Sequence, residues 1–165
     1  MSEAPTYPFG VEEIQRYLPH RSPFLLIDRV LGIQAPADPT VRVGIEVRTR
    51  KNASFNEPHM VGHFPQRSLT PGVLILETMA QTASMSLYPY VWNRIEAFRK
   101  SFQCILAGAD SVRFRRPVVP GDTMEIKTVV SKVKGSLWIF DCEATVDGQR
   151  AAEAEILANL VLDGE

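Results

Sequence analysis

The feature that most constrains the fold is a short segment dense in apolar residues, Gly72 to Leu87, which contains no proline and has Pro89 just beyond its end. Such density without interruption predicts one helix over that span. At 1.5 Å per residue the helix is about 24 Å long, and a membrane span needs about 20 apolar residues, so it is a core helix and not a membrane span. Its apolar residues, among them Val73, Leu74, Ile75, Leu76, Met79 and Ala83, lie nearly all the way round the axis. Burial on most sides is therefore expected.

From Cys104 onward the period changes to two. Trp138, Phe140, Cys142, Ala144 and Val146 share one face, as do Ala152, Ala154, Ile156, Ala158, Leu160 and Leu162, with Asp147-Gly148 between the two runs. That pattern predicts a hairpin. Strands are also expected over Met124 to Val133, after the turn Pro120-Gly121-Asp122, and over Ala109 to Arg116. Upstream, Val11 to Leu18 reads as a short helix stopped by Pro19, and Phe24 to Ile33 and Val41 to Val47 read as strands. One long apolar helix followed by antiparallel strands, with no helical segment between them, predicts an α+β domain in which the sheet wraps the helix.

A length of 165 residues suits a single domain over residues 1–165. With 45% hydrophobic and 22% charged residues the chain is neither disordered nor fibrous in composition. A net charge of -1 gives no global attraction to nucleic acid or to an anionic membrane. The two cysteines, Cys104 and Cys142, are too far apart for a zinc-type pair and too few for a disulfide framework. They read as buried free thiols in a reducing compartment. The opening MSEAPTYPFG has neither a basic nor an apolar signal region, so a cytoplasmic location is expected.

Against this background Glu77 stands out as the one charged residue between Val73 and Asn93. A carboxylate among aliphatic side chains must be paired, neutralised or open to a functional cavity, and desolvation is expected to raise its pKa. A partner Arg on a neighbouring strand is the structural alternative. At the helix start Thr70-Pro71-Gly72 reads as N-cap, N1 and N2. The Gly72 N–H then lacks an intrahelical acceptor, and with no side chain there a ligand carbonyl could approach it closely. Upstream, His63 lies in Gly62-His63-Phe64-Pro65 and can act as a base near neutral pH. A base, an oxyanion donor and an acid together suit proton abstraction next to a thioester carbonyl.

These residues fall in strings that resemble a known family. Leu18-Pro19-His20-Arg21-Ser22-Pro23-Phe24-Leu25-Leu26-Ile27-Asp28-Arg29-Val30, Asn56-Glu57-Pro58 with Gly62-His63-Phe64-Pro65, Pro71 to Gln81, and Phe114 to Asp122 closely resemble the (3R)-hydroxyacyl-acyl carrier protein dehydratases of the FabZ type. The matches are in order and span most of the chain. The resemblance implies a hot-dog fold, a homodimer that assembles further as a trimer of dimers, and active sites at the dimer interface, with His63 from one subunit and Glu77 from the other. Glu77 stands where the isomerising FabA-type cousins carry Asp, which implies dehydration without double-bond migration. Thr70, His59 and Gln66-Arg67-Ser68 depart from the pattern at positions that concern the mouth and substrate choice. His20 belongs to the matching string and reads as structural.

The activity so implied is dehydration of a 3-hydroxyacyl thioester to the trans-2-enoyl thioester, with catalytic His63, Gly72 and Glu77 and with no metal or organic cofactor. The expected partner is an acyl carrier protein, docked on a patch drawn from Arg113, Arg115 and Arg116 and from Arg94, Arg99 and Lys100, unless these are solvated or paired charges. Two other readings remain at this stage: a hot-dog acyl thioesterase using a carboxylate and a water, and a non-catalytic acyl-binding subunit.

Overall fold

A computed structural model of the chain describes residues 5–162, and the side chains of all of these except residues 100–102, 161 and 162. Helix α1 (Val11–Tyr17) leads to strands β1 (Arg29–Gln34) and β2 (Glu46–Asn52). A loop with one 3-10 turn, Pro58–Met60, then leads to helix α2 (Gly72–Ser84). Further helical turns, including α3 (Tyr88–Val91) and α4 (Ile95–Ser101), precede β3 (Phe102–Phe114), β4 (Thr123–Lys134), β5 (Leu137–Val146) and β6 (Gln149–Leu162). The six strands form one antiparallel sheet in the order β1-β2-β4-β5-β6-β3. Helix α2 packs against β2, β3, β4, β5 and β6, which is the sheet-around-helix arrangement expected from the pattern.

The late alternation translates directly into packing. Trp138, Phe140, Cys142, Ala144 and Val146 of β5 are all buried, as are Ala152, Ala154, Ile156, Ala158 and Leu160 of β6; the side chain of Leu162 lies outside the described residues. Asp147 and Gly148 both take positive φ, 52° and 72°, the combination a two-residue hairpin turn needs. The C-terminal part of α2 is enclosed, with Met79 and Ala83 in the core. Its hydroxyls turn back on the helix: Thr78 Oγ1 donates to the Leu74 carbonyl, Thr82 to that of Thr78 and Ser84 to that of Ala80, so they are buried without losing hydrogen bonds. Towards its N-terminus the helix is less covered than expected, and Val73 is 70% exposed.

Four boundaries differ from the sequence reading. The segment Val41 to Val47 is not one strand, because Gly44 takes φ 90° in a turn and β2 begins only at Glu46; Val41 and Val43 are exposed. Pro89 does not end the helical region, since it lies in the first turn of α3, where a missing N–H costs nothing. Strand β3 begins at Phe102, seven residues earlier than Ala109, and its register shifts at Leu106/Gly108 and Asp110/Arg113 break the alternation that marks a regular strand. The first strand is shorter, Arg29–Gln34, with Phe24 to Asp28 leading into it.

Candidate active site

The loop between β2 and α2 is held at its base by a buried ion pair. Lys51, 5% exposed at its side chain, donates through Nζ to Glu57 Oε2 at 2.7 Å, and Glu57 Oε1 accepts the Ser54 N–H at 2.8 Å. Glu57 thus fixes the point where the chain leaves the sheet. His63 is pinned farther along, its N–H on the His59 carbonyl and its own carbonyl accepting from Leu69 N–H. The His63 Nδ1 lies 3.0 Å from the Leu69 carbonyl oxygen. A carbonyl only accepts, so Nδ1 carries the hydrogen and Nε2 keeps its lone pair for a base. The Phe64 ring stacks on the imidazole with centroids 4.2 Å apart.

Pro71, not Thr70, is the N-cap of α2, and Gly72 is the first helical residue. Thr70 does not cap: its buried Oγ1 accepts no N–H of the first turn and has no partner among the described residues, while its backbone N–H is bonded to the Val118 carbonyl at 2.8 Å. The consequence for Gly72 is mild: its N–H still precedes the first intrahelical bonds and points out of the positive end of the helix dipole. The space left by its missing side chain is not open to a ligand as expected. A Cβ there would lie 2.7 Å from Phe114 Cζ, so the Phe114 ring fills it. His63, Gly72 and Phe114 line one cleft of about 450 Å³, with Leu69, Val73 and Val118.

Glu77 opens elsewhere. Five residues from Gly72 is about 7.5 Å along the helix and about 140° round it, so the two project from different faces. Glu77 lines a separate pocket of about 110 Å³ with His20, Gln81, Ser84, Cys104 and Leu106. Its partner is not an Arg: His20 Nε2 stands 3.4 Å from Oε1, and Gln81 Nε2 donates to the same oxygen at 2.9 Å. Burial pushes this carboxyl up, but the donors His20 and Gln81 outweigh it, and the net direction is below the ordinary Glu value. Desolvation alone predicts the opposite sign. Gln81, one turn after Glu77, was visible in sequence as an i, i+4 neighbour; no sequence signal linked His20 or Phe114 to these pockets.

Cys104 and Cys142 are free; Cys142 is buried, and the Cys104 thiol, whose Sγ lies 3.0 Å from Ser84 Oγ, is pushed up by burial. Among the described residues no three His, Cys, Asp or Glu side chains gather as a metal site, and no helix is long and apolar enough to cross a membrane. The basic residues near β3 divide. Arg115 pairs with Glu153 and Arg116 contacts Gln149, whereas Arg113, among the described residues, reaches its neighbour's carbonyl; Arg94 and Arg99 are exposed, and the Lys100 side chain lies outside the described residues.

A six-stranded antiparallel sheet round an apolar helix defines the class of the hot-dog proteins. The match to solved structures agrees: a chain of the dehydratase heterocomplex ApeI:P from Xenorhabdus doucetiae has a TM-score of 0.66 at 21% identity, covering 92% of this chain and 93% of that one. A hot-dog-like protein from Thermanaerovibrio acidaminovorans has a TM-score of 0.58 at 20% identity, covering 73% and 84%. Within that class the chain belongs to the FabA-like family, whose domain model matches residues 18–155. It is 43% identical to the 3-hydroxyacyl-[acyl-carrier-protein] dehydratase FabZ of Sinorhizobium fredii over 151 residues, 92% of this chain and 89% of that protein. The FabZ of Agrobacterium fabrum is 42% identical over 153 residues, 93% and 90% of the two chains.

Proposed function

We propose that the chain dehydrates 3-hydroxyacyl-acyl carrier protein to the trans-2-enoyl thioester in fatty-acid biosynthesis, with one active site made from two subunits. Likeness to the FabZ relatives supports the reaction, and one geometric observation supports the shared site: His63 and Gly72 line one cleft while Glu77 opens into another. A second copy is needed to bring a Glu77 opposite His63. Strand β3 offers the seam, because it lies at the sheet edge with Ile105 and Leu106 about half exposed, a combination that invites pairing with another strand. Further assembly into a trimer of dimers, and a single domain over residues 1–165, belong to the same reading.

In this site His63 Nε2 takes a proton from C2, the Gly72 N–H polarises the C1 carbonyl as enolate charge develops, and the electrons close the C2–C3 double bond as the C3 hydroxyl leaves. Glu77 gives that hydroxyl its proton, so water departs. Glu77 must be protonated to do so, yet in the single chain its donors favour the ionised form. A partner subunit and an acyl chain covering the pocket add desolvation, which moves the carboxyl towards protonation. Assembly therefore prepares the acid as well as positioning it. Arg113, Arg94 and Arg99 remain candidates for steering an acidic carrier protein.

The reaction is tested by offering a chain-length series of 3-hydroxyacyl and saturated thioesters on carrier protein and on coenzyme A. Enoyl product from the carrier-bound hydroxyacyl series is expected; release of free thiol from the saturated series, without enoyl product, would contradict the reading. Gly72→Val is expected to lower turnover about 10-fold or more, with little loss of melting temperature. The added side chain must displace the Phe114 ring, and that ring is 52% exposed and free to swing at small packing cost, but into the cleft's mouth. Parallel losses of stability and turnover would reduce Gly72 to a packing role.

A further inference from the structure

We propose that His20 is a positioning residue for Glu77, holding one carboxyl oxygen so that the other exchanges the proton with the substrate hydroxyl. The inference rests on the reading of Glu77 as the acid. Both contacts to the carboxyl fall on Oε1, His20 Nε2 at 3.4 Å and Gln81 Nε2 at 2.9 Å. Among the described residues Oε2 accepts from no side chain or amide, which leaves it for the pocket. That pocket, about 110 Å³, has room for a few waters and not for an acyl chain, the size suited to a hydroxyl that leaves as water.

The His20 tautomer follows from its surroundings. Nδ1 is buried with no partner among the described residues, while Nε2 faces a carboxylate oxygen. A hydrogen on Nδ1 would be stranded and would turn the Nε2 lone pair towards negative charge, so the hydrogen is on Nε2 and donates to Glu77.

The chain on either side of His20 is held in place. Before it, Leu18 is buried in the core. After it, the Arg21 guanidinium donates to the carbonyls of Gln15, Leu18 and His20 at 3.0, 2.9 and 2.6 Å, closing the end of α1. Gln81 extends the anchor, donating to the Phe24 carbonyl at 2.8 Å and accepting the Leu26 N–H at 2.9 Å. The string from Leu18 to Leu26 is thus stitched to α2 at the turn that carries Glu77. Besides His20, the ionisable groups facing this pocket are Glu77 on α2 and Cys104 on β3, and burial raises the Cys104 thiol against the opposing pull of the Ser84 contact. The nearby Arg21 guanidinium keeps its charge and is held in place by the three carbonyls.

The test compares kcat, KM, the pH–rate profile and melting temperature of the assembled wild type, His20→Ala and His20→Gln, with Glu77→Gln as reference. His20→Ala is expected to lose about 10- to 100-fold in kcat through misplacement of the acid, with KM nearly unchanged. Its pH–rate profile should move to higher pH, because Glu77 loses a donor that favours its ionised form and keeps its proton further up the scale. His20→Gln, whose amide can still reach Oε1, should recover most of kcat. If His20→Ala folds poorly, His20→Asn carries the same expectation, since its amide occupies the place of Nδ1 and stops short of Oε1. Wild-type kcat and an unmoved profile in a folded His20→Ala or His20→Asn, beside an inactive Glu77→Gln, would overturn the role of His20 alone. Retained turnover in Glu77→Gln would overturn the reading of the acid itself.

Discussion

His63→Ala is expected to lose about 100-fold or more in turnover of 3-hydroxyacyl thioesters while folding and assembling as the wild type does. The His63 ring is partly exposed and contributes to the core only through its stack with Phe64, itself half exposed, so little packing depends on it. What the imidazole uniquely supplies is Nε2, made a free acceptor by the Nδ1 contact with the Leu69 carbonyl. No other side chain lining the cleft titrates as a base near neutral pH: the remaining ionisable groups there are Arg115 and Arg116. Turnover of His63→Ala and wild type, measured beside their melting temperatures, checks the role. Near-wild-type rates in the folded variant would remove His63 from the chemistry.

Glu77→Gln should be as severe for turnover and nearly silent for the fold. Glutamine keeps an oxygen for His20 and Gln81 and keeps the size of the side chain, but it has no proton to give the leaving hydroxyl. Had Glu77 been paired with a buried Arg, the same change would strand a charge and cost about 3–5 kcal/mol. The contacts found are a histidine and an amide on a partly exposed carboxyl, so a cost of about 1 kcal/mol or less is expected. Melting temperature, oligomer mass and hydroxyacyl-thioester turnover together separate these outcomes. A large fall in melting temperature with activity retained would return Glu77 to a structural role.

How much of this was legible from residues alone depends on whether the deciding interaction is local. The β5–β6 hairpin was legible because alternation and the Asp147-Gly148 turn are properties of adjacent residues, and burial followed them without exception on the described face. The same alternation misled at Val41 and Val43, because periodicity reports a possible buried face and not whether anything covers it. At the helix start the cap falls on Pro71, and the Thr70 residue is instead tied through its backbone N–H to Val118, some fifty positions away, a contact no local signal carries. The sign of the Glu77 shift failed for the same reason: desolvation is implied by apolar neighbours in sequence, whereas the donor on His20 is brought in by the fold. His63, Gly72 and Glu77 were all marked by local anomaly. Their distribution between two pockets was not implied by composition, periodicity or spacing, because it depends on which helix face each residue takes in the fold.

The division of the site between subunits is most directly tested by complementation. His63→Ala and Glu77→Gln chains, each inactive alone, are co-expressed so that dimers form at random. If His63 of one subunit acts with Glu77 of the other, half the dimers are hybrids and each hybrid has one intact site of two, so roughly a quarter of wild-type turnover should return. A mixture as inactive as its parents, with hybrid dimers present by mass, would contradict the shared site.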